Sequence, residues 1–432
     1  MVREGDRVSV TTDDGETVGT LMPSQKETLT VIKLDTGYNK GINKKRIKQI
    51  AVIEPYQPKA EKVQDAPPKT GLPTIAILHT GGTIASKVDY RTGGVVARFT
   101  PTELLDMFPE LHDIANIRSR LISNMWSEDL RFGHYNLIAK AIEEEIKQGC
   151  KGVIITHGTD TLHYTAAALS FMFESLPVPV LLVGAQRSSD RGSSDAGMNL
   201  VCAARFITDS DFAEVAICMH NTTEDNDCAI LQGTKVRKMH ATRRDAFKSI
   251  NVLPWAKVSY AEKTVSWLRT GWKRTNKSPP SHKPFKEDLK IAILKAHPHM
   301  RAEQVAWYKG YDAIILEGFG LGGHLPVNEI DPLTTENAKI GKELQTLTKA
   351  GTLVATTTQT IYGRVNMNVY STGRDMKSWG IIGDHADMTA ETAFIKIAFL
   401  LSTTTKEEAK ALFSKDIRGE ISARTIFEEQ ND

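Results

Sequence analysis

The chain has 432 residues, which at about 150 residues per domain suggests two to three domains. With 54 Lys+Arg against 52 Asp+Glu its formal net charge is +2, which excludes a strongly basic chromatin-type protein and an acidic disordered one but leaves room for local basic patches. No apolar run approaches the roughly 18 residues of a membrane span. Cys150, Cys202, Cys218 and Cys228 show neither a C-x-x-C pair nor metal-ligand spacing, so no disulfide framework is expected. The start, MVREGDRVSV, has no apolar signal-peptide segment, so a reducing cytoplasm is the expected compartment.

Residues 1–58 alternate with period two in Arg7–Thr11, Thr17–Met22 and Leu29–Leu34, separated by Asp14-Gly15 and Asp35-Thr36-Gly37 turns. That pattern predicts β-hairpins, and a module this small is expected to close into a barrel, since closure removes exposed edges. Its last part carries Lys40, Lys44, Lys45, Arg46 and Lys48, either a solvated edge or a contact for RNA phosphate or a partner protein. Residues 59–72, rich in Pro and charge, read as a linker.

From residue 73 the pattern changes. Strand-like runs at Thr74–His79, Gly152–Thr156, Val178–Gly184, Phe212–Met219 and Ser259–Val265 alternate with helix-like stretches at 133–148, 161–175 and 196–208. Alternating β and α predicts a parallel sheet covered on both faces, with function at the carboxyl ends of its strands. A connector, 271–288, holds Pro279-Pro280 and five Lys/Arg between Gly271 and Lys286. A second α/β lobe is expected over 289–432, with strands near 289–295, 313–317 and 353–357, helices near 334–350 and 389–401, and a mixed-charge end.

Two strand ends stand out. The first reads His79-Thr80-Gly81-Gly82-Thr83-Ile84-Ala85, where two glycines permit a tight turn and leave N–H groups free for an anion or oxyanion. The second reads Thr156-His157-Gly158-Thr159-Asp160-Thr161 and opens a helix, so Thr159, Asp160 or Thr161 could simply be its cap. A third element, Lys235 to Lys248, holds six Lys/Arg and one Asp. Such a run is normally a solvated face, but it could supply a desolvated lysine able to take a proton from a hydroxyl, oriented by a carboxylate such as Asp160.

T-G-G-T-I-A and H-G-T-D-T, in this order and at these strand ends, resemble the paired signatures of the asparaginase/glutaminase amidohydrolase family. Val183-Gly184-Ala185-Gln186-Arg187, Asn199-Leu200 and Phe247-Lys248-Ser249-Ile250-Asn251 support the likeness, which spans about residue 73 to the end of the second lobe. It implies a two-lobed asparaginase-like α/β core and a threonine nucleophile, matched by Thr83. It also implies a Thr-Asp-Lys group at Thr159, Asp160 and Lys238, the last placed by counting back from the Phe-Lys-Ser block. Ser127, Glu128, Gly82 and the loop tyrosine Tyr90 match substrate-binding positions. An asparaginase core behind such a β-module resembles, more narrowly, the D-subunit family of archaeal glutamyl-tRNA(Gln) amidotransferases. That likeness implies ammonia release from glutamine or asparagine, and a partner E subunit that binds tRNA(Gln) and uses ATP and Mg. It further implies a homodimeric core within a heterotetramer, and no cofactor in this chain.

Other signals point elsewhere. Gly318-Phe319-Gly320-Leu321-Gly322-Gly323 satisfies G-x-G-x-x-G, yet His324-Leu325-Pro326 follows where a dinucleotide site needs a helix. His297-Pro298-His299 lacks a third metal ligand, and no P-loop, G-x-S-x-G or Cys–His pattern occurs. Two competing readings are a free-standing cytoplasmic L-asparaginase and a non-catalytic RNA- or amino-acid-binding protein.

Overall fold

The structure is a computed structural model. It describes residues 2–22, 24, 26, 28–34, 39–55, 69–82, 84, 86–88, 95–97, 108–187, 189, 193–272 and 280–424. Thr83 and Tyr90, most of the 59–72 linker, residues 273–279 of the connector and the tail from 425 lie outside these. The chain forms two compact units, residues 1–68 with 85–104, and residues 69–84 with 105–432.

In the first unit β1 (Arg7–Thr12), β2 (Gly15–Met22), β3 (Leu29–Lys33), β4 (Asn39–Asn43) and β5 (Ile47–Glu54) form one antiparallel sheet in the order β4-β3-β2-β1-β5. Alternation aims one side chain in two at a single small core. Val8, Val10, Ile32 and Ile42 are buried there, with Leu21, Ile47 and Ile50 packed against them. All five strands share that core, so the sheet curls over it. The expected closure is not seen among the described residues: no ladder joins the edge strands β4 and β5.

The second unit opens with β6 (Thr74–His79). A two-stranded antiparallel ribbon, β7 (Ser86–Val88) and β8 (Val95–Ala97), belongs to the first unit. There follow β9 (Asn116–Leu121), β10 (Gly152–Thr156), β11 (Val180–Val183), β12 (Val215–His220), β13 (Asp227–Gln232), the hairpin of β14 (Val236–Lys238) and β15 (Phe247–Ser249), then β16 (Ala256–Ser259) and β17 (Val265–Trp267). Eight of these make the main sheet, ordered β17-β16-β13-β12-β11-β10-β6-β9. Only β9, β6, β10, β11 and β12 are parallel. The next three run antiparallel, which corrects the expectation of an all-parallel sheet. Two causes are local. The polar segment Asn221–Asn226 returns the chain directly from β12 to β13, and Ser259–Val265, read as one strand, is a reversal between β16 and β17.

Fully buried strands such as Gly152–Thr156 are covered on both faces. The helices Phe132–Lys147 and Leu162–Met172 pack on Ala76, Leu78, Val153 and Ile155. From the helix Ala196–Asp209, Ile207 lies so close to Gly152 that a Cβ there would come within 2.6 Å of it. The second lobe, in the same unit, is a parallel three-stranded sheet of β18 (Ile291–Lys295), β19 (Ala313–Gly318) and β20 (Leu353–Thr358). Ile314 and Leu316 face the helix Thr335–Lys349, and Ala313 and Ile315 face the helix Ala390–Thr403. That last helix also ties the lobes together, with Phe399 stacked on Phe171 at 5.9 Å.

Candidate active site

Both glycine-bearing turns leave adjacent parallel strands at their carboxyl ends. His79 lies opposite Thr156 across β6 and β10, and Thr80 donates its N–H at 3.1 Å and its hydroxyl at 2.9 Å to the Thr156 carbonyl. The chain then passes through Gly81 at φ +105° and Gly82 at φ +82°, a region that favours glycine. A Cβ on Gly82 would lie 2.5 Å from both N and Cα of Gly158, and one on Gly81 would collide with the Met125 carbonyl. The two turns therefore meet backbone to backbone. Ser127 closes the arrangement: a Cβ on Gly158 would lie 2.8 Å from the Ser127 Cβ.

Each turn follows a buried histidine. The His79 ring bonds Thr156 Oγ1 at 2.8 Å and Ser119 Oγ at 2.7 Å. The His157 Nδ1–H donates to the Gly158 carbonyl at 2.6 Å, and its Nε2 accepts from Thr165 at 2.8 Å. Burial pushes both imidazoles down to about 4, so at neutral pH they act as fixed hydrogen-bonding struts.

Thr159 and Asp160 converge with a residue far along the chain. Lys238, at the end of β14, donates from Nζ to Thr159 Oγ1 at 2.9 Å and to Asp160 Oδ1 at 2.8 Å. Its side chain is 12% exposed and that of Asp160 65%, so the lysine tip sits inside while the carboxylate faces the opening. The Thr159 hydroxyl in turn points to Gln186 Oε1 at 3.4 Å. A cavity of about 290 Å³, lined by Asp160, Lys238, Met239, His240 and Ala241, opens at this point.

The capping alternative does not hold for these two side chains. The helix Leu162–Met172 has Thr161 at its N-cap without a side-chain cap bond, and the Thr161 hydroxyl donates instead to the Ser127 carbonyl at 2.6 Å. Thr159 and Asp160 are left for the lysine.

The basic run is resolved residue by residue. Lys235 pairs with Asp387 at 2.7 Å, Arg237 with Glu391 at 2.9 Å and Lys238 with Asp160. Arg243 and Lys248 share Asp245, and Arg244 pairs with Asp225 at 2.5 Å. Each of the six cations has a carboxylate partner, and the first two pairs join the lobes. The run is therefore neither a simple solvated face nor an open basic patch.

Of the expected site residues, the fold brings together Gly82, Ser127, Thr159, Asp160 and Lys238. Glu128 sits exposed on the 3-10 turn Ser127–Asp129, with no hydrogen bond or ion pair to those five among the described residues. Thr83 follows Gly82 directly in the sequence, but it and Tyr90 lie outside the described residues. Gln186, beside the Thr159 hydroxyl, is not marked by sequence as a site residue, although the Val-Gly-Ala-Gln-Arg motif that contains it is. The G-x-G-x-x-G segment closes as a tight loop, Phe319 N–H donating to the His324 carbonyl at 2.9 Å, and no helix opens there. Both ring nitrogens of His297 are engaged, by the Pro298 carbonyl and Gln304. No group of three or more His, Cys, Asp or Glu suited to a metal occurs among the described residues.

The chain is similar to known proteins over most of its length. Residues 74–271 match the N-terminal asparaginase family, 290–413 the glutaminase/asparaginase C-terminal domain, and 2–53 the GatD N-terminal domain. Among solved structures, a thermostable L-asparaginase from Thermococcus kodakarensis is 29% identical, with a TM-score of 0.70 over 81% of this chain and 100% of its own. L-asparaginase I from Vibrio cholerae is 27% identical, with a TM-score of 0.68 over 82% of this chain and 100% of its own. Curated relatives named as the D subunit of glutamyl-tRNA(Gln) amidotransferase cover nearly the whole length. That of Methanococcus maripaludis strain C7 is 44% identical over 96% of this chain and 97% of its own, and that of Pyrococcus furiosus 44% over 98% and 96%. With an asparaginase core and a matching N-terminal unit, the chain belongs to the D-subunit family of glutamyl-tRNA(Gln) amidotransferases.

Proposed function

We propose that this chain is the ammonia-releasing subunit of a cytoplasmic, tRNA-dependent amidotransferase. It hydrolyses the side-chain amide of glutamine, or of asparagine, and a partner E subunit uses the ammonia to convert Glu-tRNA(Gln) to Gln-tRNA(Gln). The observation that carries this reading is Lys238 Nζ, within hydrogen-bond reach of both Thr159 at 2.9 Å and Asp160 at 2.8 Å beside the paired glycine turns.

The chemistry is two-step acyl transfer. The Thr83 oxygen attacks the amide carbon as its proton passes through Thr159 to the Lys238 amine, and turn N–H groups such as that of Gly82 stabilise the tetrahedral oxyanion. The C–N bond breaks, ammonia leaves with the proton carried by the Thr159–Lys238 relay, and water then hydrolyses the ester through the same relay. Asp160, largely exposed, orients the lysine and can take the α-ammonium of the substrate. Ser127 and Glu128 hold the remaining α-groups, and Tyr90 serves as the loop tyrosine that family likeness implies. The chain needs no cofactor of its own, ATP and Mg serving the partner, and two copies pair through the core within a heterotetramer. The small β-module belongs to this assembly.

The test is conversion of Glu-tRNA(Gln) with glutamine as nitrogen donor, with and without the co-expressed partner. Amidation only with the partner, alongside ammonia release lost in Thr83→Ala, supports the proposal. Efficient asparagine hydrolysis with no partner-dependent amidation replaces it with the free-standing asparaginase, and absence of amide hydrolysis overturns both.

A further inference from the structure

Thr159 is held in place by a turn it does not belong to. That turn, Gly184 to Arg187, leaves the carboxyl end of β11. A Cβ on Gly184 would lie 2.8 Å from the Thr159 methyl carbon, so the glycine forms the wall against which that methyl rests. With the methyl fixed, the hydroxyl can only face away from the wall, between Lys238 Nζ at 2.9 Å and Gln186 Oε1 at 3.4 Å. The position of the Gly184 turn thus sets the direction of the Thr159 oxygen.

Two buried side chains, Asn199 and Asp195, hold that turn. Asn199, in the helix Ala196–Asp209, is fully buried and donates from Nδ2 to the Gly184 carbonyl at 3.0 Å and to Asp195 Oδ2 at 3.3 Å. The same Asp195 carboxylate accepts the backbone N–H groups of Gln186 and Arg187, each at 3.0 Å. On its other side, Asn199 Oδ1 accepts from His220 Nδ1 at 2.6 Å and from the Cys228 thiol at 3.3 Å. These partners orient the carboxamide: its NH₂ faces two oxygens and its oxygen faces two donors. The carboxamide itself is fully buried with both of its ends hydrogen-bonded, so a misplaced oxygen there would be costly.

We infer that Asn199 is a positioning residue for the amide-hydrolysing site, acting through the Gly184 turn on the hydroxyl of Thr159. It touches neither substrate nor reacting atoms. This rests on the proposed reading only in that the hydroxyl it aims is the one in the relay.

Two measurements on the full-length chain test it. The first is kinetic. Asn199→Asp places an oxygen against the Gly184 carbonyl and the Asp195 carboxylate. The expected result is a fall in kcat of at least about tenfold with KM within about twofold. In a Thr159→Ser background, where no methyl remains for the wall to hold, the same substitution should lower kcat by less than about twofold, while its effect on Tm is equal in both backgrounds. Equal kcat losses in both backgrounds, or unchanged kcat in Asn199→Asp, overturn the inference. The second needs no activity. In a crystal structure of Asn199→Asp, or of Asn199→Ser if the aspartate variant does not fold, the Thr159 Oγ1–Lys238 Nζ separation should lengthen beyond hydrogen-bond range. An unchanged separation also overturns it. Loss of amide hydrolysis in the wild type would count against the proposed function and leave the structural arm decisive.

Discussion

Gly82 and Gly158 lie so close that a Cβ on the first would stand 2.5 Å from the Cα of the second. Two turns separated by more than seventy residues are thereby fused into one rigid floor, and the threonines beside them, Thr83 and Thr159, follow these glycines directly in sequence. Gly82→Ala should therefore disturb the site as well as the fold. Its left-handed φ of +82° costs about 1–2 kcal/mol for an L-residue, before the collision with Gly158 is added. The expected outcome is a lowered Tm in calorimetry together with loss of ammonia release, while Gly149→Ala, at φ +80° with open space around it, should lower Tm by less and keep activity.

Lys238 Nζ reaches two acceptors at once, the Thr159 hydroxyl and the Asp160 carboxylate. Lys238→Met should reduce ammonia release by about 10²–10⁴-fold, the range for loss of a positioned proton-transfer group. Lys238→Arg should recover little of it, because a planar guanidinium does not reproduce the point-like donor at both 2.9 Å and 2.8 Å. Initial rates of ammonia release at saturating glutamine decide the matter; either variant within fivefold of wild type contradicts the relay.

Lys235 and Asp387 form an ion pair across the two lobes with both side chains at most 1% exposed. Desolvation lowers the lysine pKa and the Asp387 charge opposes that shift. Lys235→Met leaves the aspartate buried without its cation and should destabilise the second unit by about 3–5 kcal/mol. The double variant Lys235→Met, Asp387→Leu should be less destabilised than the single one in urea unfolding. If the single substitution is silent, the pair does not hold the lobes together.

Acid should weaken the fold before it strips the carboxylates. His79, His157 and His163 are all buried, and desolvation lowers each to about 4 from the ordinary 6.5. Between those values the unfolded chain binds protons that the folded chain refuses, so the histidine contribution lowers stability as pH drops from about 6.5 to about 4 and levels off below. Urea midpoints measured across that window should show the decline. His163 is the useful probe, since its buried Nδ1 has no partner among the described residues and its ring packs on Tyr164 and Phe247. His163→Phe should keep the packing, match or exceed the wild type in stability, and flatten the pH dependence; an unchanged slope would exclude His163 as a contributor.

The sequence by itself determined what short-range chemistry encodes. Period-two alternation and D-G turns marked the first strands, continuous apolar runs marked β6 and β10, and the 3.6-residue spacing of Leu137, Ala141, Ile142 and Ile146 marked the helix Phe132–Lys147, although Leu137 itself is exposed. It also exposed Gly82, Thr159 and Asp160, because a glycine or hydroxyl immediately after a buried strand is conspicuous in a chain read linearly. Lys238 was reachable only through family likeness, since one lysine among six cations carries no local mark of its own. The tertiary structure showed which cation meets Thr159 and Asp160 and decided which join the lobes, because those pairings connect residues 78 or more positions apart, as in Lys238 with Asp160 and Lys235 with Asp387. It decided the antiparallel half of the main sheet, since strand direction depends on the path of the connection while side-chain periodicity is the same either way. The aim of the Thr159 hydroxyl was likewise decided there. It depends on the bare Cα of Gly184 and on the buried carboxamide of Asn199, contacts that exist only once three strands and a helix have packed.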